Sequence, residues 1–305
     1  MQKVVDIDID KVSKWNSFNN NKTLHPLATV IDFSKANLRD WGDAESVRFN
    51  YGLYAVFLKD VKCGDLTYGR HHYDYQEGTL VFFAPGQVVE IENTKVPYQP
   101  LGYGLFFHPD FLNGTSLGKN IGDYKFFNYR SNEALHVSED ERQMILDSLA
   151  KIEYELKQTV DKHSKKLIAA NIELFLNYCE RFYDRQFITR ENVNNGIMAN
   201  FEEMLNAYFK SGKPKNIGLP SVAFFANELN MSANYFGDLI KKETGKSAKE
   251  YILNKTIQVA KSKVFETNKT VSEIAHELGF KYPQHFTRVF KQRVGKTPNE
   301  FRSLN

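Results

Sequence analysis

Near the C-terminal end of this 305-residue chain, four polar side chains recur at helical spacing. Gln284, Thr287, Arg288 and Lys291 lie three and four residues apart, which places them on one face of a helix. Arginine and glutamine carry paired hydrogen-bonding groups that match guanine and adenine edges in a major groove. This face therefore has the hydrogen-bonding groups that contact with a polar surface requires.

The helix that carries this face belongs to a unit that occurs twice. Residues 221–229 align with residues 270–278 at an offset of 49, sharing Val, Ala, Glu and Leu. After one extra residue in the turn the offset becomes 50, so that Phe236 meets Phe286 and Lys241 meets Lys291. Each copy has the pattern helix, tight turn, helix, which predicts helix-turn-helix units over about 221–243 and 270–292. An ordinary helical hairpin in a bundle is the alternative.

Charge is distributed unevenly along the chain. Residues 215–305 contain 15 Lys and Arg against 8 Asp and Glu, whereas the remainder contains 25 against 29. The overall net charge of +3 therefore combines a basic end with a slightly acidic body. This asymmetry predicts a polyanion as the partner of the basic end.

The connection between the two units has the length of a spacer. From the expected capping box Ser247–Glu250, a helical pattern continues to Val264, which is about 18 residues or roughly 27 Å. Major-groove faces of one DNA duplex recur about every 34 Å. We expect this helix to place the two reading helices in adjacent major grooves of double-stranded DNA.

The last ninety residues or so resemble the AraC/XylS family of bacterial transcription regulators. The matching segments are 232–245, 271–280, 286–291 and 295–302. The resemblance implies a seven-helix DNA-binding domain over residues 191–305 with two recognition helices. The DNA-binding residues expected on this basis are Asn234, Tyr235, Gly237, Asp238, Lys241, Lys242, Pro283, Gln284, Thr287, Arg288 and Lys291.

Two of these positions depart from the family pattern. Gly237 has no side chain with which to contact a base edge. Asp238 can accept a hydrogen bond from cytosine, or be repelled by the phosphates. We therefore expect the second reading helix to carry more of the base discrimination. On the positions that the resemblance implies, Arg288 is expected to pair with guanine and Gln284 with adenine.

Composition and length bound the remaining possibilities. The chain is 42% hydrophobic and 14% aromatic, which suffices for packed cores in about two domains. Cys63 and Cys179 match no metal-binding pattern and are expected to be buried and inert. No apolar run approaches the ~20 residues that span a bilayer, and the first residues do not have the pattern of a signal peptide. We expect a soluble cytoplasmic protein without a cofactor.

The first half of the chain has the texture of a β protein. Residues 1–25 appear as a poorly patterned arm, and residues 26–135 predict a small antiparallel barrel or double-sheet jelly roll. A β domain that precedes two helix-turn-helix units, together with the segment Glu77–Gln87, resembles the cupin-like sensor domain of the same family. A sandwich without a pocket is the alternative. The expected strands are 28–33, 51–59, 65–68, 79–83, 88–91 and 102–107.

His71, His72 and Glu77 invite a metal interpretation, because cupin enzymes hold metals with histidines and a glutamate. Neighbouring residues of a strand point to opposite faces, so His71 and His72 cannot both be ligands in a regular strand. We therefore expect no metal. A small-molecule effector pocket is a separate expectation for this domain. The alternative is that these side chains only pack in the core or form a salt bridge at its rim. The expected pocket residues are Tyr68, Arg70, His72 and Tyr103.

Two amphipathic helices are expected over residues 136–190. The first begins at a capping box at Ser138 and continues with an apolar seam; the second covers about 167–182. Members of the family commonly dimerise through helices placed here, and packing against the β domain is the alternative. A hinge is expected at 186–191, a helix at 194–210 and a loop at 211–218. The seam residues expected at a homodimer interface are Ile145, Leu149, Ile152 and Leu156.

Together these patterns predict an α+β multidomain protein that is a DNA-binding transcription regulator and not an enzyme. The expected partners are DNA, a second copy of the chain and a small-molecule effector. The resemblance is also compatible with RNA polymerase as a partner. Two other functions stay open. One is a metal-dependent cupin enzyme with an appended DNA-binding domain, and the other is a ligand-free regulator whose β domain binds a protein.

Overall fold

The computed structural model describes residues 4–59, 78–93, 95–130, 133–189, 191–265 and 269–303, apart from the side chains of 191–193 and 195. The chain divides into an N-terminal unit, Met1–Gln186, and a C-terminal unit, Phe187–Asn305. All strands of the described residues belong to the first unit, and the second contains helices alone. The protein is therefore of the α+β class, with its β and α elements largely separated.

The strands of the N-terminal unit form two sheets. One has the order β1-β3-β6 and the other β2-β7-β4-β5-β8. All neighbours are antiparallel except β1 and β3, which are parallel. The strands are β1 (Val4–Ile9), β2 (Ala28–Asp32), β3 (Ser46–Tyr51), β4 (Tyr54–Lys59), β5 (Thr79–Phe83), β6 (Val88–Glu92), β7 (Tyr103–Phe107) and β8 (Leu135–His136).

The core of this unit draws side chains from both sheets. Phe49 and Val89 come from the three-stranded sheet, and Phe83 and Phe106 from the five-stranded sheet. Alternating residues of β3 are buried, as expected for a strand with one face against a core. The sheets therefore pack against each other through a shared apolar layer rich in aromatic rings.

The N-terminal segment differs from the poorly patterned arm that the sequence analysis expected. Residues 4–9 form β1, and helix α1 (Val12–Phe18) buries Val12 and Trp15 in the core. From Val5 to Ile9, apolar residues alternate with aspartate, a period of two that the sequence analysis missed. Aspartate is depleted in strands, and the partner β3 is parallel and distant in sequence.

Two other strand predictions need comment. The expected strand 51–59 is interrupted after Tyr51, because the chain turns at Gly52 before β4 begins at Tyr54. A Cβ on Gly52 would lie 3.0 Å from Asp10 Cα, so the turn permits close approach of the backbones. The expected strand 65–68 lies outside the described residues.

The described part of the N-terminal unit also contains α-helices, with 3-10 turns at 33–35, 121–123 and 125–128. The capping box at Ser138 is confirmed, since Glu141 N donates to Ser138 Oγ (3.3 Å) and Ser138 N donates to Glu141 Oε2 (2.9 Å). The helices after α1 are α2 (Pro109–Leu112), α3 (Ser116–Asn120), α4 (Glu139–Lys157) and α5 (Ser164–Thr189).

The apolar seam of α4 faces inward. Its residues are at most 4% exposed within a single chain, and α4 packs against β2. A second copy of the chain cannot reach side chains that are already covered, so the interface predicted for this seam is wrong. The buried residues are Ile145, Leu149, Ile152 and Leu156.

The described residues of the C-terminal unit form eight helices, where the resemblance implies seven. The additional one is α7, a five-residue turn of helix with Pro214 in its first turn, in place of the loop predicted at 211–218. The described part of the predicted hinge at 186–191 is helical, since α5 continues to Thr189 and α6 begins at Glu191. The helices are α6 (Glu191–Lys210), α7 (Lys213–Ile217), α8 (Val222–Glu228), α9 (Ala233–Thr244), α10 (Ala248–Val264), α11 (Val271–Glu277), α12 (Pro283–Val294) and α13 (Pro298–Arg302).

Hydropathy does not point to a membrane segment. Within the described ranges, every helix is too short or too polar to cross a bilayer.

Candidate nucleic-acid interface

The C-terminal unit contains two helix-turn-helix units of the same design. In each, a 7-residue helix precedes a 12-residue helix: α8 and α9 in the first, α11 and α12 in the second. The second turn is one residue longer, as the change in offset predicts. At equivalent positions in the turns, Asn230 (φ 57°) and Gly279 (φ 90°) both adopt left-handed backbone. The duplicated pattern in the sequence is therefore a duplicated structure.

Side-chain caps set the start of most of these helices. Ser232 Oγ accepts a hydrogen bond from Tyr235 N (3.1 Å) at the start of α9. Thr270 and Glu273 form the predicted capping box of α11. At α12, Pro283 occupies the first turn, where its missing amide has no cost, because the first amides of a helix have no partner within it.

The inner faces of both reading helices are buried. Phe236, Leu239 and Ile240 of α9 are 0% exposed, and Phe286 and Phe290 of α12 are also 0% exposed. The period of hydrophobic residues in the sequence therefore identifies the inner face of each helix correctly. Each reading helix is held against a core and turns its polar side outward.

The outer face of α12 carries the side chains that the first prediction named. Gln284, Arg288 and Lys291 are exposed, while Pro283 and Thr287 are half-buried. Arg288 forms no ion pair with any described residue. Its guanidinium group is thus available for a bidentate hydrogen bond to a base or phosphate.

The outer face of α9 differs in chemistry. Asn234, Lys241 and Lys242 are exposed, and Gly237 and Asp238 are half-buried. At the positions equivalent to Thr287 and Arg288, this helix has Gly237 and Asp238. It therefore presents fewer donors to a base edge than α12 does.

Tyr235 is not on the outer face. It is 6% exposed, and its ring lies 5.0 Å from the ring of Phe187 at an angle of 40°. A side chain that is covered by its own core cannot reach DNA in this structure, so its expected role as a DNA contact is wrong. Tyr235 instead packs the start of α9 against the beginning of the C-terminal unit.

Helix α10 connects the two helix-turn-helix units and packs against both. Its 17 residues span about 25 Å. Ile252 and Thr256 are buried in its first half, and Ile257, Ala260 and Val264 in its second half. Ile257, Ala260 and Val264 belong to the core cluster around α11 and α12. The spacer is therefore a shared structural element and not a free rod.

A close backbone contact secures the second turn. A Cβ on Gly279 would lie 2.4 Å from Gly218 C and 2.7 Å from Leu219 N. Gly218 O accepts a hydrogen bond from Tyr208 Oη of α6 (3.1 Å). The turn of the second reading unit thus rests directly on the segment that follows α7.

An ion-pair cluster joins α10 to α11. Glu277 Oε2 lies 2.9 Å from Lys263 Nζ, and Glu277 Oε1 lies 2.9 Å from Lys269 Nζ. Hydrogen bonds from these two lysines hold the pKa of Glu277 below its ordinary value. The cluster places a fixed acid away from the outer face of α12 and ties the second unit to the spacer.

Two exposed residues at the start of α12 were not singled out by the sequence analysis. Tyr282 is 59% exposed and has Lys281 Nζ 5.6 Å from its ring centroid. His285 is also exposed. The sequence pattern does not predict that Tyr282 is exposed, because its exposure depends on the conformation of the turn before α12.

The predicted effector pocket cannot be assembled from the described residues. Tyr68, Arg70 and His72 lie outside them, as do His71 and Glu77. Tyr103, at the start of β7, is half-buried. No group of three potential metal ligands occurs within the described ranges.

Cys63 lies outside the described residues, whereas Cys179 is buried as a free thiol. Burial raises the pKa of the Cys179 thiol, which disfavours the reactive thiolate.

Comparison with known proteins supports the interpretation of the C-terminal unit. A family profile described as "Helix-turn-helix domain" matches residues 225–303. The uncharacterised HTH-type transcriptional regulator YfiF of Bacillus subtilis is 29% identical over 148 residues, which are 48% of this chain and 44% of YfiF. The uncharacterised transcriptional regulatory protein YesN of the same species is 41% identical over 76 residues, 24% of this chain and 21% of YesN. The alignments thus span less than half of either relative.

A longer match exists at lower identity. The probable transcriptional regulator LumQ of Photobacterium leiognathi is 24% identical over 254 residues, covering 76% of this chain and 90% of LumQ. Among solved structures, a transcriptional regulator from Chromobacterium violaceum with an AraC-type DNA-binding domain has a TM-score of 0.26 at 24% identity. That alignment covers 28% of this chain and 75% of the other, and its TM-score is too low to support a structural argument.

The profile match, the regulators among the relatives and the two equivalent reading units all concern the same stretch of chain. Residues 225–303 are therefore a helix-turn-helix domain of the AraC type, shared with proteins that are named transcriptional regulators.

Proposed function

We propose that this chain is a sequence-specific DNA-binding transcription regulator whose two reading helices, α9 and α12, enter adjacent major grooves of one duplex. The observation that carries the proposal is the pair of equivalent helix-turn-helix units packed on the common helix α10. Both present polar outer faces and buried inner faces. The basic balance of this end of the chain supplies the long-range attraction to phosphates.

The two readers contribute differently in this proposal. On α12, Arg288 and Gln284 pair with base edges, at about 1–3 kcal/mol of discrimination each. On α9, Asn234 remains for base contact, whereas Lys241 and Lys242 approach the phosphates. Gly237 and Asp238 leave the middle of α9 without a donor. Sequence preference is therefore concentrated on the half of the site that α12 contacts.

Control by a small molecule is the second part of the proposal. The N-terminal unit, a double β-sheet that we interpret as a cupin-like sensor, binds an effector. Tyr68, Arg70, His72 and Tyr103 stay proposed pocket residues. The effector changes DNA binding because it binds one presentation of the readers more tightly than another. The role is regulatory and not enzymatic, as the names of the relatives suggest.

A homodimer is the third part, through a face other than the α4 seam. Tyr154 of α4 is 63% exposed, and Leu167 and Leu174 of α5 are 46% and 44% exposed. Leu167, Asn171 and Leu174 share one helix face by their spacing. An open groove of about 380 Å³ lies between Tyr154 and Asn171. This outer α4–α5 face is the surface that a second copy would cover.

In this proposal the dimer binds paired sites in the cytoplasm, where it acts on RNA polymerase at a promoter.

The experiment is selection of bound duplexes from a random library, followed by footprinting of the full chain on the enriched site. We expect each half-site to show two protected segments on one face of the DNA, about one helical turn apart. Inserting five base pairs between them should abolish specific binding, because α10 fixes the separation of the readers. As a control, the double variant Gln284→Ala, Arg288→Ala should bind DNA without preference for the site. Failure to enrich any sequence would refute the proposal.

A further inference from the structure

A buried arginine without an acidic partner lies in the N-terminal unit. Arg39 is 7% exposed, and its backbone is fixed by hydrogen bonds with Tyr98: Arg39 N to Tyr98 O (2.9 Å) and Tyr98 N to Arg39 O (3.1 Å). Within the described part of the chain, its guanidinium group forms no ion pair with a carboxylate. Its position is therefore defined, but its charge is not compensated.

The contacts of the guanidinium group are neutral. One nitrogen donates to Asn19 Oδ1 and another donates to Asn37 O (3.4 Å). The carbon Cζ lies 4.4 Å from the centroid of the Phe18 ring. These groups accept two of the five N–H donors that an arginine carries. Burying a charge without a counterion is unfavourable, and a bound anion would supply the missing counterion.

Other arginines of the same unit have carboxylate partners. Arg48 lies at the surface, 3.1 Å from Glu90 and 3.7 Å from Asp6. Arg185 makes a two-pronged contact with Glu141, with distances of 3.0 and 2.6 Å. Arg39 is more deeply buried than Arg48 or Arg185 and lacks the carboxylate partner that each of them has. Burial lowers the pKa of Arg39, in line with a cation held in an apolar setting.

A second unsatisfied donor belongs to the same cluster. Trp15 is 4% exposed, and its Nε1 is buried without a hydrogen-bond partner in the described structure. Its ring stacks on Phe18 with centroids 5.2 Å apart, so Phe18 contacts both Trp15 and Arg39. Asn19 also joins the two, because its Nδ2 donates to Trp15 O (2.7 Å). Buried polar groups are rarely left without a partner, and both of these groups are donors.

We infer that Arg39 anchors a binding site for a small anionic molecule with an apolar tail, held through a carboxylate or phosphate group. The planar guanidinium fork matches either anion. Phe18 and Trp41, which are stacked with centroids 6.1 Å apart and only partly buried, are the apolar side chains that we propose the tail contacts. The inference rests on the proposed function, because this molecule would be the effector of the regulator.

The test is isothermal titration calorimetry of the full chain with three probes that share one tail: hexanoate, hexyl phosphate and hexanol. We expect one or both anions to bind and hexanol not to bind. Arg39→Gln should weaken the binding of the anion about 10- to 100-fold, the usual effect of losing hydrogen bonds to a charged group. Arg48→Gln, a change of the same kind at a surface ion pair, should leave binding unchanged.

Thermal unfolding of each variant shows whether it folds. If Arg39→Gln does not fold, Arg39→Lys decides, because it keeps the positive charge and removes the planar fork that pairs with the anion. It should weaken the binding of the anion several-fold. The inference is overturned if neither anion binds, if hexanol binds as well as the anions, or if the folded variants bind like the original chain.

DNA binding by the same protein separates this inference from the proposed function. If the anions do not bind but the chain still protects its selected DNA site, the anion site is refuted and the proposed DNA-binding function is supported. If the anion binds through Arg39 without changing the affinity for DNA, the anion site is supported and control of DNA binding by this effector is refuted.

Discussion

Equivalent positions of the two reading helices carry different residues. Asn234 corresponds to Gln284, Gly237 to Thr287 and Asp238 to Arg288, whereas Lys241 and Lys291 are the same. The lysine at the end of each helix is exposed and suits a phosphate. The opposite charges of Asp238 and Arg288 create the asymmetry between the readers.

Arg288→Ala and Lys241→Ala should separate base contact from phosphate contact. The first should cost about 1–3 kcal/mol on the selected site and relax the preference at one base pair. The second should weaken binding to all sequences alike and reduce the salt slope by about 1. Fluorescence anisotropy on matched and mismatched duplexes at several salt concentrations measures both. A uniform loss for Arg288→Ala would make Arg288 a phosphate contact instead.

Gly237→Ala should stabilise the protein. Gly237 lies within α9 with an ordinary helical backbone, and a Cβ there would meet nothing within 4 Å. Alanine should therefore raise the free energy of unfolding by roughly 0.5–1 kcal/mol, because glycine is a poor helix former. Urea denaturation measures the change. Gly245→Ala, at a left-handed position (φ 68°) with equally open space, is the control and should be destabilising. A loss of stability in Gly237→Ala would contradict this account.

The arrangement of the C-terminal elements depends on where backbones touch. Gly279 and Gly218 both have positive φ, and they meet at the second turn. Helix α10 packs against both helix-turn-helix units. Lengthening α10 by a turn would therefore disturb both cores, so changing the DNA spacing is the cleaner test of the two-groove geometry.

Gly279→Ala should be more destabilising than Gly295→Ala. Both glycines have similar positive φ, 90° and 84°, but a Cβ on Gly295 meets nothing within 4 Å. The Gly295 variant should cost about 1 kcal/mol for the left-handed backbone alone. The Gly279 variant adds a backbone clash and should exceed this by at least about 1 kcal/mol. Equal losses, measured by urea denaturation, would mean that the contact with Gly218 has no energetic weight.

The Glu277 ion-pair cluster predicts a dependence of stability on pH. The pKa of Glu277 is lowered in the folded state, so its contribution is present above the ordinary value near 4.3 and lost as pH falls through the folded pKa. Glu277→Gln should therefore cost about 1 kcal/mol at pH 7 and much less at pH 3. Urea denaturation at both pH values measures this.

Glu228 is the matched control for Glu277, because it is the equivalent residue of the first unit. It is exposed and forms no ion pair within the described ranges. Glu228→Gln should have little effect at either pH. A loss in Glu277→Gln that is the same at pH 7 and pH 3 would mean that the carboxylate charge does not contribute.

For the whole molecule, the proposed homodimer requires an apolar surface that is exposed in a single chain. The α4 seam is buried, whereas the outer α4–α5 face exposes Tyr154, Leu167 and Leu174. A dimer would double the number of reading helices on one DNA segment and raise the effective affinity for paired sites.

Leu174→Glu should convert the dimer to a monomer, because it places a charge on the apolar face that the partner covers. Sedimentation at micromolar concentration should show the original chain as a dimer and the variant as a monomer that still binds a single half-site. Leu38→Glu is the control, since Leu38 is 63% exposed in the same unit but lies outside α4 and α5. A monomeric original chain would end the dimer proposal.

Features that depend on residues close together in the chain were predicted well from the sequence. The repeat, the caps at Ser138, Ser232 and Thr270, and the inner faces of α9 and α12 all appear in the structure. Each depends on contacts between residues three or four apart, or on two copies of one pattern. The outer residues of α12 follow, because the position of the inner face determines the outer one.

Features that depend on distant contacts were decided by the tertiary structure. Hydrophobic spacing shows that a helix has an apolar face, but not whether a sheet or a second copy covers it, and so the α4 seam was assigned to the wrong partner. Tyr235 is covered by Phe187, and β1 is completed by β3, through the same kind of contact. The sequence by itself thus determined that the chain has two helix-turn-helix readers. Only the packing of remote segments decided which side chains those readers expose, and that Arg39 is buried without a counterion.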